Sequence, residues 1–238
     1  MTEKIYSTRA YERSMIAAVL AADGDDGRLL LDRTVFYPGG GGQPHDVGSL
    51  WLGDDELPVE RVTQDGDGVW HWVSCGLPAV GTSVRGDLDW ARRYDLMRTH
   101  TAMHALCGVV WNRFQAPVTG GNMEAGVGRL DFDLPNWDPD LRSAIEEELN
   151  LEIARALPIE VRFVPRSEAD DDPALIRTKA NLLPASLTTL RVIDIVGLDR
   201  QADGGTHVGD TTEVGHVAIT KVESKGKGFR RIRIAVDP

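Results

Sequence analysis

Apolar and polar positions alternate in short runs over the first third of the chain, then switch to a helical rhythm near residue 89. Candidate strands cover 28–36, 47–52, 59–63 and 69–73, separated by Asp/Gly turns such as Asp23-Gly-Asp-Asp-Gly27 and Gln64-Asp-Gly-Asp-Gly68. Short strands with such turns predict a small β-barrel or meander. The stretch 11–20 gives no firm assignment. From Asp89 to Phe114, Trp90, Leu96, Met97, Leu106, Val109 and Val110 mark the apolar side of a helix. Glycine-rich turns from 119 precede an alternating strand at 128–134. Asp138 is placed to cap a helix that opens with Pro139 and runs to about Ala156, with Leu141, Ile145, Leu149 and Ile153 at four-residue steps. Strands are expected at 159–164 and 190–196, with a short helix starting near Ser167, and a hairpin at 215–222 and 229–236. The second strand is expected to end at a Gly-Gly-Thr-His loop. Helices and strands mixed without βαβ alternation predict an α+β fold. It divides into a β-barrel-like subdomain at 1–86 and an α+β domain at 87–238 with helices on a mainly antiparallel sheet.

Composition adds bounds rather than identity. With 42% apolar and 26% charged residues among 238, the chain reads as an ordinary globular protein. A net charge of −11 argues against non-specific coating of nucleic acid, so any RNA contact must use locally gathered cations. No apolar run approaches a membrane span and no basic-then-apolar leader opens the sequence. Two cysteines, Cys75 and Cys107, suit a reducing compartment. A cytoplasmic protein with no membrane or DNA partner is expected.

Candidate chemistry lies in two separated stretches. In Arg98-Thr-His-Thr-Ala-Met-His104 the two histidines fall one helical turn apart on one face. In Asp203-Gly-Gly-Thr-His207 a third histidine follows an acidic residue in a glycine loop, which would complete a tetrahedral metal site. The zinc-protease pattern His-Glu-x-x-His needs a glutamate where Thr101 stands, so that class is disfavoured. Cys107 lies about 10 Å further along the helix than His100 and reads as a core residue. The glycine run 39–42 lacks a following Gly-Lys-Ser/Thr, which argues against a nucleotide P-loop. Lys221, Lys225, Lys227, Arg230, Arg231 and Arg233 face only Glu223 within thirteen residues, a pattern fitted to phosphates, and Arg92, Arg93 and Arg98 are placed to extend it.

Four motifs occur in one order: the glycine run of Phe36-Tyr-Pro-Gly-Gly-Gly-Gly-Gln-Pro44 with Asp46, the two-histidine helix, Asp203-Gly-Gly-Thr-His207, and Ser224-Lys-Gly-Lys-Gly-Phe-Arg-Arg231. Together the chain resembles the alanyl-tRNA synthetase editing domain and its free-standing relatives, the AlaX trans-editing proteins of the longer kind. The resemblance implies metal ligands at His100, His104, position 203 and His207, with zinc as the ion. The family has cysteine where this chain has Asp203. A carboxylate keeps the single negative charge but is a harder ligand. Asp203 therefore ligates directly, supports a three-histidine site from behind, or marks a site that has lost its ion. The resemblance further implies hydrolysis of mischarged Ser-tRNA(Ala), with Gly-tRNA(Ala) second, at the tRNA(Ala) acceptor end. Catalytic roles are expected for Gln43, Asp46 and Thr119, and substrate contacts for Thr99, Thr101, Gly120 and Asn122. tRNA contacts are expected for Lys225, Lys227, Arg230 and Arg231. The competing readings are a metal-free tRNA-binding homologue and a metal-dependent hydrolase of another small ester or amide.

Overall fold

The computed structural model describes residues 1–74, 76–170, 175, 188–226 and 228–237. Two compact units result, Met1–Tyr94 and Asp95–Pro238. In the first, β1 (Glu3–Lys4) pairs in parallel with β4 (Arg33–Thr34). The remaining strands are β2 (Ser14–Asp23), β3 (Arg28–Leu31), β5 (Gly48–Leu52), β6 (Asp55–Asp65), β7 (Gly68–Val73) and β8 (Ser83–Leu88). They close a barrel in the order β2-β3-β7-β6-β5-β8. Alternate residues of each strand point inward, so Val19, Leu29, Leu31, Leu50, Val62, Val69 and Val84 are all essentially inaccessible. The barrel expected from short strands and Asp/Gly turns is present. β2 grows from the stretch that gave no assignment, because Met15-Ile-Ala-Ala-Val-Leu-Ala-Ala22 carries apolar residues on both faces and hides its period of two. The expected boundary at 86/87 falls inside β8, which pairs with both β2 and β5 to close the barrel.

A histidine sits within that apolar interior. His71 is fully buried on β7, its Nε2 2.8 Å from the Thr34 hydroxyl, which also accepts the Phe36 amide. The Phe36 ring meets the imidazole edge-on at 5.4 Å. Burial pushes the imidazole down to about 4. The unfolded chain therefore takes up this proton first. Its contribution to stability is complete above pH 6.5 and declines as pH falls toward 4, by about 3 kcal/mol in all. Urea unfolding of the protein at steps between pH 7 and 4 should show this loss, and His71→Gln should flatten that part of the profile. Identical slopes for the two proteins would remove His71 as the cause.

The second unit is built around one helix. α1 (Trp90–Phe114) opens where the Asp89 carboxylate accepts the Arg92 amide at 3.1 Å, an N-cap contact. It ends at Gln115, whose φ of 53° turns the chain out of the helix. Residues 96–110 are buried without a break, so this helix has core on every side rather than one apolar stripe. A four-stranded antiparallel sheet, ordered β14-β15-β10-β9, is made by β9 (Val118–Glu124), β10 (Val127–Asp133), β14 (Val217–Ser224) and β15 (Phe229–Val236). α2 (Leu141–Ile153) buries Ile145, Leu149 and Ile153, as its four-residue spacing predicts. A second antiparallel sheet runs β11 (Ile159–Pro165), β12 (Thr189–Ile195), β13 (Asp199–Ala202), and α3 (Arg166–Asp170) follows β11.

Glycines let both sheets close on α1. A Cβ at Gly128 would stand 2.7 Å from the Met103 sulfur, and one at Gly108 would stand 2.8 Å from the Leu198 carbonyl oxygen. The second contact brings the β12–β13 turn against the helix, backbone to backbone. Two strands of the second unit are absent from the sequence reading: β9, whose Gly120 and Gly121 weaken strand propensity, and β13, whose Asp199-Arg-Gln-Ala202 carries no apolar alternation. It is β13, rather than the strand at 190–196, that delivers residues 203–207. The fold is α+β. Among the described residues no helix is long and apolar enough to cross a membrane.

Candidate metal centre

The cluster starts on α1. His100 and His104 project from the same face, their ring centroids 5.0 Å apart. His207 arrives from the loop after β13 and lies 4.3 Å from the His100 ring and 4.8 Å from the His104 ring. Asp203 is the fourth member, and one donor atom from each of the four residues fits within 4.8 Å of all the others. A tetrahedron with bonds of 2.0–2.1 Å has donors about 3.3 Å apart. The Asp203 carboxylate spans two of the rings, with Oδ2 3.3 Å from His207 Nε2 and Oδ1 3.7 Å from His100 Nε2. Three imidazoles and one carboxylate are the donor chemistry of a divalent-ion site, and the residues present fit one.

Three of the four donors are aimed by named neighbours. His104 Nδ1 lies 2.9 Å from Asp199 Oδ2, an oxygen that also accepts from Gln201 Nε2 at 2.8 Å. His207 Nδ1 lies 3.1 Å from the Thr101 hydroxyl, which also accepts the Val208 amide. With Nδ1 occupied in this way, Nε2 of His207 faces Asp203 and the other rings. Asp203 Oδ2 accepts the Gly205 amide at 2.6 Å, so the carboxylate braces its own glycine loop. Arg191 on β12 donates to the Asp203 carbonyl at 2.9 Å, and its guanidinium stands 3.8 Å from Oδ2.

Electrostatics favour ligation. Burial pushes the His100 imidazole down to about 4, with His104 and Arg191 adding to the effect against an opposing pull from Asp203. Burial and His100 hold His207 well below its ordinary value as well. Burial alone would raise Asp203, but the three imidazoles around it, His100 foremost, and the His207 hydrogen bond hold it well below the usual carboxylate range. With the His100 and His207 imidazoles neutral beside an ionised Asp203, a cation arriving near neutrality would have no proton to displace from these three groups.

The chain also matches two described families, "tRNA synthetases class II (A)" over residues 4–92 and "Threonyl and Alanyl tRNA synthetase second additional domain" over residues 190–233. It is 35% identical over 241 residues to the alanyl-tRNA editing protein AlaX-M of Saccharolobus solfataricus, covering 100% of both chains. It is 37% identical to the AlaX-M of Methanosarcina barkeri, covering 98% of both. The chain belongs to the AlaX-M family of alanyl-tRNA editing proteins. It is also 32% identical to the alanine–tRNA ligase of Staphylothermus marinus, of which it spans 25%.

The other residues singled out in this AlaX-M family member fall into separate places. Gln43 and Asp46 belong to the first unit. Gly39, Gly40, Gly41 and Gly42 all have positive φ, and the turn closes through paired backbone bonds between Gly40 and Gln43. Gln43 is buried. Asp46 accepts from Arg93 Nε at 2.9 Å, from Arg93 Nη2 and from the Tyr37 amide at 2.6 Å. Thr99 donates to the Asp95 carbonyl and accepts the Gly126 amide, tying α1 to the β9–β10 turn. Thr119 and Asn122 are exposed on β9 beside Gly120, with the Thr119 hydroxyl on the Asp131 carbonyl.

The basic hairpin is partly spent within the fold. Asp131 takes Arg231 through two bonds of 2.6 and 2.7 Å, and Glu223 takes Arg233 and Lys221. Arg93 and Arg98 do not extend it. Arg93 is fully buried against Asp46, and Arg98 is turned onto the carbonyls of Glu213, Val214 and Asp237. Lys225 is exposed, Arg230 is half-buried, and Lys227 lies outside the described residues.

Asp199, Gln201 and Arg191 carry no motif in sequence and emerge only from geometry. Asp199→Asn should lower divalent-metal affinity about 10- to 100-fold while leaving one ion per chain at saturation. Isothermal titration of the metal-stripped protein measures this, and an unchanged affinity would deny Asp199 its orienting role.

Proposed function

We propose that this protein hydrolyses the ester joining a wrong amino acid, serine first and glycine second, to the 3′ end of alanine tRNA, at an ion held by His100, His104, Asp203 and His207. One observation carries the reading: three imidazoles and a carboxylate from distant stretches converge on one buried point, in a chain of an editing family. Zinc is the proposed ion, since three nitrogen donors and one carboxylate suit its tetrahedral preference. Bound there, the ion would supply Lewis acidity toward the ester carbonyl.

The chain's own residues supply orientation. Asp199 and Thr101 fix the His104 and His207 rings, and Gly205 and Arg191 hold Asp203 in place. Water adds to the carbonyl carbon, the ester C–O bond breaks, and the proton returns to the departing ribose oxygen. Free amino acid and uncharged tRNA result. Thr101 and Thr99 act as braces in this scheme, because their hydroxyls are engaged inside the fold. Thr119, Gly120 and Asn122 are the proposed contacts to the serine hydroxyl. Gln43 and Asp46 shape and hold the glycine loop, and Lys225, Lys227 and Arg230 are the proposed contacts to acceptor-end phosphates. Arg231 joins them only by leaving Asp131.

Purified protein should discharge Ser-tRNA(Ala) faster than Ala-tRNA(Ala) by a factor on the order of 10³ or more, as expected of a site built to bond a hydroxyl. A chelator should stop the reaction and added zinc restore it. Ser-tRNA(Ala) that remains charged, or a rate indifferent to chelation, would end the proposal.

A further inference from the structure

A cavity of about 670 Å³ lies in the second unit where α1 ends, lined in part by Phe114, Asp133, Asn136, Trp137 and Arg230. Its volume falls in the range of small-ligand sites. His104 and Phe114 are ten residues apart on α1, which is about 15 Å along the helix axis. That separation is more than one nucleotide and within the span of a few.

The lining mixes three kinds of group. Trp137 and Phe114 are aromatic, the Phe114 ring already lying under the Arg113 guanidinium, Asp133 and Asn136 carry acceptor oxygens, and Arg230 adds a fixed positive charge. The turn of the basic hairpin forms an adjoining wall, with Gly228 close to both Pro135 and Asp133. An unpaired nucleobase matches this set. Its ring stacks on an aromatic side chain, its exocyclic amino group donates to a carboxylate, and its phosphate meets the guanidinium. The carboxylate favours cytosine or adenine over uracil, because uracil presents no amino group.

We propose that this cavity binds one unstacked, amino-bearing base of the single-stranded tRNA 3′ end, a few nucleotides upstream of the ester. The site rests on the reading of the protein as a tRNA deacylase and gives it a second anchor. Trp137 stacks, Asp133 reads the amino group and Arg230 holds the phosphate. The anchor would fix how much strand reaches the metal centre.

The test uses full-length protein and a fluorescently labelled single-stranded RNA ending in ACCA, compared with one ending in UUUA. Wild type should prefer the first by about tenfold. Trp137→Ala should weaken binding of the ACCA strand about 5- to 150-fold, the range expected for one stacked base. Trp137→Phe, which keeps a ring, should recover most of it. Asp133→Asn should erase the preference between strands. Equal binding of both strands by wild type, or wild-type affinity in Trp137→Ala, would overturn the proposal. Ser-tRNA(Ala) deacylation and metal content measured on the same preparations separate the two readings. Deacylation that persists with no cavity effect sinks the base site alone, whereas absent deacylation by metal-loaded wild type sinks the deacylase reading itself.

Discussion

On the proposed reading, replacing His207 by alanine will abolish stoichiometric ion binding and lower deacylation of Ser-tRNA(Ala) by more than about a hundredfold. Loss of a supporting partner behind a metal ligand already costs 10- to 100-fold, and a ligand itself costs more. The substitution removes the donor that packs against His100 and lies 3.3 Å from Asp203. It leaves the Thr101 hydroxyl with the Val208 amide, so the local fold keeps part of its bracing. Elemental analysis should find well under one ion per chain, and a quench-flow or filter assay should find Ser-tRNA(Ala) intact. His216→Ala, on an exposed side chain paired with Asp237, is the matched control and should change neither. Wild-type turnover in His207→Ala would dismiss the cluster as the seat of the chemistry.

Arg93→Met will destabilise the first unit by about 3–5 kcal/mol, the usual consequence of leaving half of a buried ion pair unopposed. Both partners are inaccessible, and Arg93 also donates to the Ala10 carbonyl at 3.0 Å and the Val35 carbonyl at 2.6 Å. One guanidinium thus gathers three stretches around the glycine loop. For a unit of this size the loss corresponds to a drop in Tm on the order of 15 °C or more. The double variant Arg93→Met/Asp46→Asn should regain part of it, because no bare carboxylate remains. Calorimetry of the single and double variants decides. A single variant within about 1 kcal/mol of wild type would show that the pair does not hold the loop.

These two cases also show what the sequence makes legible. The metal cluster can be read because its spacing is local: four residues on a helix, and an acid and a histidine around two glycines. The partners that aim the donors cannot. Asp199 lies on a four-residue strand of polar sequence, and its link to His104 spans 95 positions. Asp46 is visible as an acid beside a glycine run, but nothing in sequence joins it to Arg93, 47 residues away. The barrel is legible from turn chemistry, whereas β2 is masked by apolar residues on both faces. α1 is recognised as a helix, yet its burial on all sides is not, since histidines, threonines and arginines among its residues read as a polar face. Their hydrogen bonds inside the fold are what permit that burial.

The missing methyl at Gly108 carries a consequence for how the centre tolerates change. The Leu198 carbonyl and Cγ and the Asp199 Cβ all lie within 3.1 Å of where a methyl would stand, so helix and turn meet there with no room to spare. A shift of the turn at Leu198 moves Asp199 by the same amount and swings the His104 imidazole with it. Alanine at position 108 would therefore disturb the set of the His104 ring from a position outside the four-residue cluster, and the spacing of those four side chains is inherited in part from a hydrogen atom one turn beyond the last histidine of the helix.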